Sequence, residues 1–466
     1  MILEQHYLTC LAQASYLIAD ESSKKAVIVD PRRDVELYLE EAKRRGLTIE
    51  WVLLTHFHAD FLAGHLELRE KTGAKIGLGR AAQAEYEFTP FADGEELVLG
   101  DEVRLQFLET PGHTPESMCI LVFDRKANDE APHAVLTGDT LFIGDVGRPD
   151  LMASVGFTRE QLATKMYHSL RDKLLTLPDE TVLYPGHGAG SSCGKSLSSA
   201  TSCTIGNQRA SNYALQEMTA EEFVGLVTEG LSQPPKYFSY DAALNKKERG
   251  TLGASLEASL HAVSLDEALQ AAEQGAQLVD TRTPEDWERE HLRGTVSIGL
   301  GGMYASWAGT VLDTEREIVI LADPGQEEES ILRLGRIGLD RVKGFIEGGM
   351  DAVRSRPELL ASVARIEAPE FEAARASDNA PWILDVRKPG EWETAHIEGS
   401  TNIPLADLEA RLAEIPRDRE VVLHCQTGYR SAIAASLMQR GGVEGMRDLV
   451  GGFEAWAAHA GEASAS

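Results

Sequence analysis

The stretch Leu53-Leu54-Thr55-His56-Phe57-His58-Ala59-Asp60-Phe61-Leu62-Ala63-Gly64-His65 decides how the first half of the chain is read. Residues 51–54 form a short apolar run that reads as a buried strand. The run ends in two histidines two positions apart and an aspartate two further on. In an extended or turning backbone, positions two apart point the same way, so His56, His58 and Asp60 can converge on one point. A polar loop with incidental histidines would carry the same letters, but three further pieces of sequence argue against it.

Those pieces stand at the ends of later apolar runs. Residues 103–108 lead into Thr110-Pro111-Gly112-His113-Thr114, residues 134–137 into Gly138-Asp139-Thr140, and residues 181–184 into Pro185-Gly186-His187-Gly188. Each candidate ligand thus follows the C-terminal end of a predicted strand, which is how an open α/β site is assembled. Between them the pattern predicts a hairpin over 7–18, a strand over 26–30, an amphipathic helix over 34–45 closed by Gly46, and a helix starting near Gly64.

Taken in order, THFHAD, TPGHT, GDT and YPGHG resemble the metallo-β-lactamase superfamily, and that resemblance implies an αββα sandwich. Two-metal members carry a histidine directly after the aspartate of the first motif. Phe61 stands there in this chain; it cannot ligate, and its ring would occupy the second metal's place. The one-metal branch that this resembles is the persulfide dioxygenases. Their pattern, carried over, gives His56, His113 and Asp139 as ligands of one mononuclear non-haem Fe(II). Two histidines and a carboxylate leave three positions open, as expected of an oxygen-activating iron. The same ligand types also serve hydrolytic zinc.

On this resemblance His58, Asp60 and His187 either orient ligands and iron-bound water or are packed remnants of a second metal site. Gly147-Arg148-Pro149-Asp150 resembles the family's GR-x-D segment. Arg148 is read as steering an anionic persulfide, supporting the iron ligands, or pairing with Asp150. Cys193 lies in the Gly/Ser-rich stretch 190–195. It reads as a thiol reaching over the site with Lys195 lowering its pKa, or as a free cysteine in a surface loop. His65 reads as structural, Cys10 and Cys119 as core.

The remainder of the chain repeats. Leu278-Val279-Asp280-Thr281-Arg282-Thr283-Pro284-Glu285-Asp286-Trp287 matches Ile383-Leu384-Asp385-Val386-Arg387-Lys388-Pro389-Gly390-Glu391-Trp392 at a spacing of 105 residues. Gly348-Gly349 is later echoed by Gly451-Gly452. A repeat of this length is a duplicated domain, and strand-helix alternation within it implies a parallel sheet. Each copy resembles the rhodanese domain. In the second copy, residues 421–424 form a strand running into Cys425-Gln426-Thr427-Gly428-Tyr429-Arg430-Ser431, followed by a helix. A cysteine between a strand end and a helix N-terminus lies among converging N–H groups, which stabilise a thiolate and a bound persulfide. Arg430 adds a cation. In the first copy Asp323 is read as standing in the cysteine's place, with Glu327, Glu328 and Glu329 in the arginine region, so that copy is expected to lack the chemistry.

At 466 residues the chain exceeds one ordinary core. Its formal net charge of −29 argues against nucleic-acid and anionic-membrane partners. No apolar run approaches the ~20 residues of a membrane span. The first 20 residues carry no basic side chain, so no secretory signal is expected there. Five scattered cysteines fit a reducing cytoplasm rather than a disulfide framework.

As a whole the chain resembles persulfide dioxygenase–rhodanese fusions. That implies an α/β protein with a metallo-β-lactamase-fold domain over 1–255, a rhodanese-like domain lacking the catalytic cysteine over 256–360 and a rhodanese sulfurtransferase domain over 361–466. The expected reaction is oxidation of a low-molecular-weight thiol persulfide by O2 to sulfite, with Cys425 and Arg430 transferring sulfur to give thiosulfate, in a cytoplasmic homo-oligomer. Two alternatives are a glyoxalase II-like thioester hydrolase fused to a sulfurtransferase and a non-oxidative sulfur-trafficking protein.

Overall fold

The computed structural model describes residues 1–151, 156–195, 197–231 and 233–465. It divides into two compact units, one of Met1–Ser255 with Gly335–Gly338, the other of Leu256–Leu334 with Leu339–Ser466. No helix among the described residues is long and apolar enough to cross a membrane.

The first unit contains two six-stranded sheets. One runs in chain order: β1 (Ile2–Leu8), β2 (Gln13–Asp20), β3 (Lys25–Val29), β4 (Thr48–Leu53), β5 (Lys75–Gly79) and β6 (Thr89–Phe91). The other runs in the same way through β7 (Glu96–Val98), β8 (Val103–Glu109), β9 (Met118–Asp124), β10 (Ala134–Gly138), β11 (Val182–Pro185) and β12 (Cys203–Thr204). The alternation along β9 shows how the layers form. Met118, Ile120 and Val122 point into the core between the sheets, against Tyr16, Val27 and Val29. Cys119, Leu121 and Phe123 point the other way, against Ala163, Met166 and Leu170 of the helix Arg159–Asp172. Side chains two apart share a face, so one apolar strand serves both cores. The helix Glu36–Arg45 buries Tyr38 and Ala42 and ends at Gly46, whose φ of 66° is the left-handed cap that glycine accepts freely. These layers are the αββα sandwich.

The second unit holds two five-stranded parallel sheets of identical order. The first runs Ala262–Val263, Val342–Ile346, Ile318–Leu321, Gln277–Asp280, Val296–Ser297. The second runs Ala364–Ile366, Met446–Leu449, Val421–His424, Trp382–Asp385, Thr401–Asn402. The repeat extends to side chains. Arg282 forks onto Asp280 as Arg387 does onto Asp385, at 2.7 and 2.6 Å. Trp287 stacks on His291 at 3.9 Å and Trp392 on His396 at 4.0 Å.

Sheet register corrects one expectation. Asp280 pairs with Leu321 in the first copy and Asp385 with His424 in the second. The residue after each strand is therefore Ala322 in the first copy and Cys425 in the second, so Ala322, not Asp323, occupies the cysteine's position. The spacing narrows from 105 to 103 because the connection from Val296–Ser297 to Ile318–Leu321 is two residues longer than its counterpart from Thr401–Asn402 to Val421–His424. From Ala322 onward the loops match: Gly325 and Gly428 both have positive φ, 84° and 115°, and Glu327 stands opposite Arg430.

Candidate metal centre and thiol loop

The residues expected as ligands arrive at strand ends. His56 follows β4, His113 follows β8, and Asp139 follows β10. Their donor atoms lie within 4.8 Å of one another, and all three side chains are buried. Asp139 Oδ2 is 3.8 Å from His56 Nε2 and 3.5 Å from His113 Nε2. These separations are too long for hydrogen bonds. They approach the roughly 3.0–3.5 Å expected between donors that share one ion at about 2.1 Å.

Hydrogen bonds on the far side of each ring fix which nitrogen is free. Thr55 Oγ1 donates to Asp30 Oδ2 at 2.8 Å, so it accepts from His56 Nδ1 at 3.0 Å. His113 Nδ1 donates to the Arg148 carbonyl at 2.9 Å, and His187 Nδ1 to the Ala12 carbonyl at 3.2 Å. Each of these rings thus presents an Nε2 lone pair to the centre. Burial lowers the pKa of His56, and the neighbouring histidines push it down further. Burial also lowers His113, against the opposing pull of Asp139. Neutral imidazole is the ligating form. Both carboxylate oxygens of Asp139 and Nε2 of His187 are buried without a hydrogen-bond partner. Buried polar atoms in proteins are as a rule satisfied, and here the unpartnered ones converge with the free Nε2 atoms on one point, so this donor set fits a divalent cation.

His58, Asp60 and His187 come together as a second group of donors, also within 4.8 Å. His58 Nε2 is engaged with Asp30 Oδ1 at 2.9 Å. Burial opposes the charged form of His58, but the Asp30 carboxylate outweighs it and raises the pKa. Phe61 is fully buried, with its ring 4.3 Å from the His58 ring and 6.4 Å from the His187 ring. An apolar ring therefore stands against this second donor group.

Arg148 forks onto Asp150 at 2.7 and 2.8 Å, while its own carbonyl holds His113. Its guanidinium is committed to that pair, and its backbone orients a ligand. Cys193 joins Asp139 and His187 in a third donor group. Of the two readings of Cys193 the free surface-loop thiol is ruled out, and the thiol that reaches the site is found without the expected activation by Lys195. Cys193 is buried; burial raises its pKa, and the Asp60 and Asp139 charges add to that. Lys195 does not face the thiol, since its Nζ caps the carbonyls of Leu226 and Glu229. Cys119 is buried as expected, whereas Cys10 is half-buried.

Sequence reasoning missed two residues. Asp30 directly follows β3 and accepts from the Thr55 backbone N–H, Thr55 Oγ1 and His58 Nε2, tying the histidine loop to a neighbouring strand. Asn245 donates to the carbonyls of His58 and Phe61, each at 2.8 Å, and accepts from the Ala63 N–H at 2.9 Å. Asp30 closes an apolar run, which was a readable signal. Asn245 lies far away in sequence and gave none.

In the second unit, Cys425 is buried at the end of Val421–His424, and the Gly428 N–H points to its Sγ at 3.1 Å. The helix Tyr429–Arg440 starts directly beyond. Arg430 lies against the thiol and forks onto Glu391 with two 2.7 Å bonds. Tyr429 Oη donates to the Gly299 carbonyl of the first copy at 2.7 Å, pinning the loop from outside.

The comparisons with known proteins agree with this division. Residues 8–187 match the Metallo-beta-lactamase superfamily, and residues 264–356 and 367–459 each match the Rhodanese-like domain. The chain is a metallo-β-lactamase-fold domain followed by two rhodanese-like domains. The human mitochondrial persulfide dioxygenase ETHE1 is 28% identical over 233 residues, covering 49% of this chain and 80% of its own. A probable hydroxyacylglutathione hydrolase of Schizosaccharomyces pombe is 32% identical over 176 residues, 37% of this chain and 62% of its own. The chain spans 52% of the length of one curated relative and 88% of another. A metallo-β-lactamase from Staphylococcus aureus subsp. aureus COL superposes with a TM-score of 0.65 at 29% identity, covering 74% of this chain and 98% of that one.

Proposed function

We propose that this chain oxidises a low-molecular-weight thiol persulfide to sulfite and transfers sulfane sulfur through Cys425, with domains over 1–255, 256–360 and 361–466. The reading rests on one observation above the rest: three Nε2 or carboxylate donors converge at His56, His113 and Asp139 while the buried Phe61 ring stands beside His58. His56, His113 and Asp139 would hold one Fe(II). When bound, that ion supplies the one-electron chemistry that lets dioxygen react with a closed-shell sulfur anion.

The chain's own residues do the positioning. Thr55, Asp30 and the Arg148 carbonyl fix the ligand rings. His58, Asp60 and His187 supply polar atoms for substrate or water next to the ion. The overall reaction balances as RSSH + O2 + H2O giving RSH, sulfite and two protons. At the second site the Cys425 thiolate takes the outer sulfur of a second thiol persulfide and releases its thiol; sulfite then attacks the outer sulfur of the Cys425 persulfide, the S–S bond breaks, thiosulfate leaves and the thiolate returns to the N–H groups of its loop. The polypeptide link raises the local concentration of one site's product near the other. The small-molecule partners are thus the persulfide, O2, sulfite and thiosulfate, and the compartment is the cytoplasm.

Anaerobically purified protein should contain one iron per chain and consume oxygen when given glutathione persulfide. The hydrolase relatives favour a second reading, a thioester hydrolase using two ions. Two zinc ions per chain, thioester cleavage and no oxygen uptake would establish that reading and sink the first.

A further inference from the structure

We infer that a groove lined by the first rhodanese-like copy and by Arg440 of the second takes a small phosphorylated molecule with an apolar body, gripped by Arg293, Arg316, Arg356 and Arg440. The groove encloses about 540 Å3, within the size range of small-molecule sites, about 300–1,000 Å3. It is separate from the degenerate thiol position. Arg316 lies just before Ile318–Leu321 and Gln277 opens Gln277–Asp280, so the groove sits at the N-terminal edge of this parallel sheet. Ala322 and its loop lie at the opposite edge.

Charge is what marks it. The chain has 74 acidic against 45 basic residues, yet this hollow is lined by four arginines and a single carboxylate, Glu273. Arg356 is paired with Asp266 and Glu358, at 2.7 and 3.0 Å. Arg293, Arg316 and Arg440 make no ion pair among the described residues. Arg316 Nε donates to the Gly275 carbonyl at 2.6 Å and Arg293 to the Leu360 carbonyl at 3.2 Å, which leaves most of each fork open. The Arg440 guanidinium makes no hydrogen bond among the described residues. Partial burial lowers its pKa, and the Arg316 charge beside it lowers it further against the weaker pull of Glu409.

Holding Arg293, Arg316 and Arg440 together without ion-pair partners is a cost that a bound anion removes. Guanidinium forks match phosphate oxygens in pairs, so phosphate esters fit better than a lone carboxylate. Among the other lining residues, Leu269, Ala272, Ala276, Leu278 and Leu359 are apolar and offer a surface for a base or similar flat body, with Gln277 beside them. A nucleoside diphosphate has both halves. Arg440 closes the helix whose other end bears the Cys425 loop, about 18 Å away at 1.5 Å per residue, so occupancy of the groove does not block the thiol.

The test is isothermal titration of the full chain with ADP, inorganic pyrophosphate and adenosine. ADP should bind more tightly than pyrophosphate, adenosine should give no heat, and the ADP affinity should fall as KCl is added. Arg440→Ala and Arg316→Ala should each weaken ADP about tenfold and leave sulfur transfer unchanged. The salt series and the three-ligand comparison need no variant, so a misfolded mutant does not decide the matter. Absence of ADP and pyrophosphate binding at millimolar concentration would overturn the proposal, as would adenosine binding as tightly as ADP. Pyrophosphate binding as tightly as ADP would overturn the role of the apolar floor and leave a site for inorganic phosphate anions alone.

Discussion

Asp30 is the residue on which the metal centre leans most while touching no candidate ligand atom directly. Its carboxylate accepts three hydrogen bonds, two of them from Thr55, which holds His56. Asp30 adopts a left-handed φ of 49°, a conformation asparagine tolerates as well, so Asp30→Asn removes acceptors without straining the backbone. Iron affinity, read by chelator titration, should drop about 10–100-fold; unchanged retention would mean that packing alone orients His56. Phe61 allows a complementary test. Phe61→His adds an imidazole beside Asp60 and His187, and the variant should take up a second ion from excess zinc or manganese. A stoichiometry that stays at one would show that the Phe61 ring is not what excludes it. The four ligand-bearing motifs were legible because each histidine or aspartate directly follows an apolar run. Cys193 was misjudged for the opposite reason. A glycine- and serine-rich sequence looks exposed, and nothing local reveals that its backbone is threaded back under the site, where Arg148 donates its N–H to the Cys193 carbonyl.

At the scale of elements, the loop after Val421–His424 is held by a short helix that contributes no chemistry. Glu391, on the helix Pro389–Thr394, receives both arms of Arg430. Burial alone would raise the Glu391 pKa, but the Arg430 hydrogen bonds outweigh it and hold the carboxyl below its ordinary value. A depressed folded pKa gives stability that is full above the unfolded value of about 4.3 and is lost as pH falls through the folded one. The stability difference between wild type and Glu391→Gln, followed by thermal unfolding across pH, should therefore be constant from neutral pH down to about 5 and shrink below about 4. A difference that persists at pH 3 would mean that shape, not charge, makes the contact. The duplicated strands and the Cys425 loop could be read from sequence. The register of the first copy could not be read from the 105-residue match alone, because a two-residue lengthening between strands leaves no mark on either strand. The paired glycines did carry the correction, since Gly349 and Gly452 are 103 apart and each packs under the carbonyl of the residue in question, Ala322 or Cys425.

For the whole molecule, the proposed coupling of two reactions is separable at one atom. Cys425→Ser keeps the loop N–H groups and replaces the thiol with a hydroxyl that cannot carry sulfane sulfur. Sulfurtransferase activity should vanish, oxygen uptake with a small persulfide should persist, and the product should shift from thiosulfate to sulfite. Enzymatic thiosulfate at the wild-type rate would identify another carrier. Asp323→Ala should change neither activity, since Asp323 lies one residue past the position aligned with the thiol. The first copy retains its sheet, its buried Asp280–Arg282 pair, its stacked Trp287 and even the left-handed Gly325. What it lacks is a cysteine at 322 and an arginine at 327. The first copy thus presents the architecture of the Cys425 loop with neither a thiol nor a cation in it, and two substitutions, Ala322→Cys and Glu327→Arg, are all that separate the two sets of side chains at these positions.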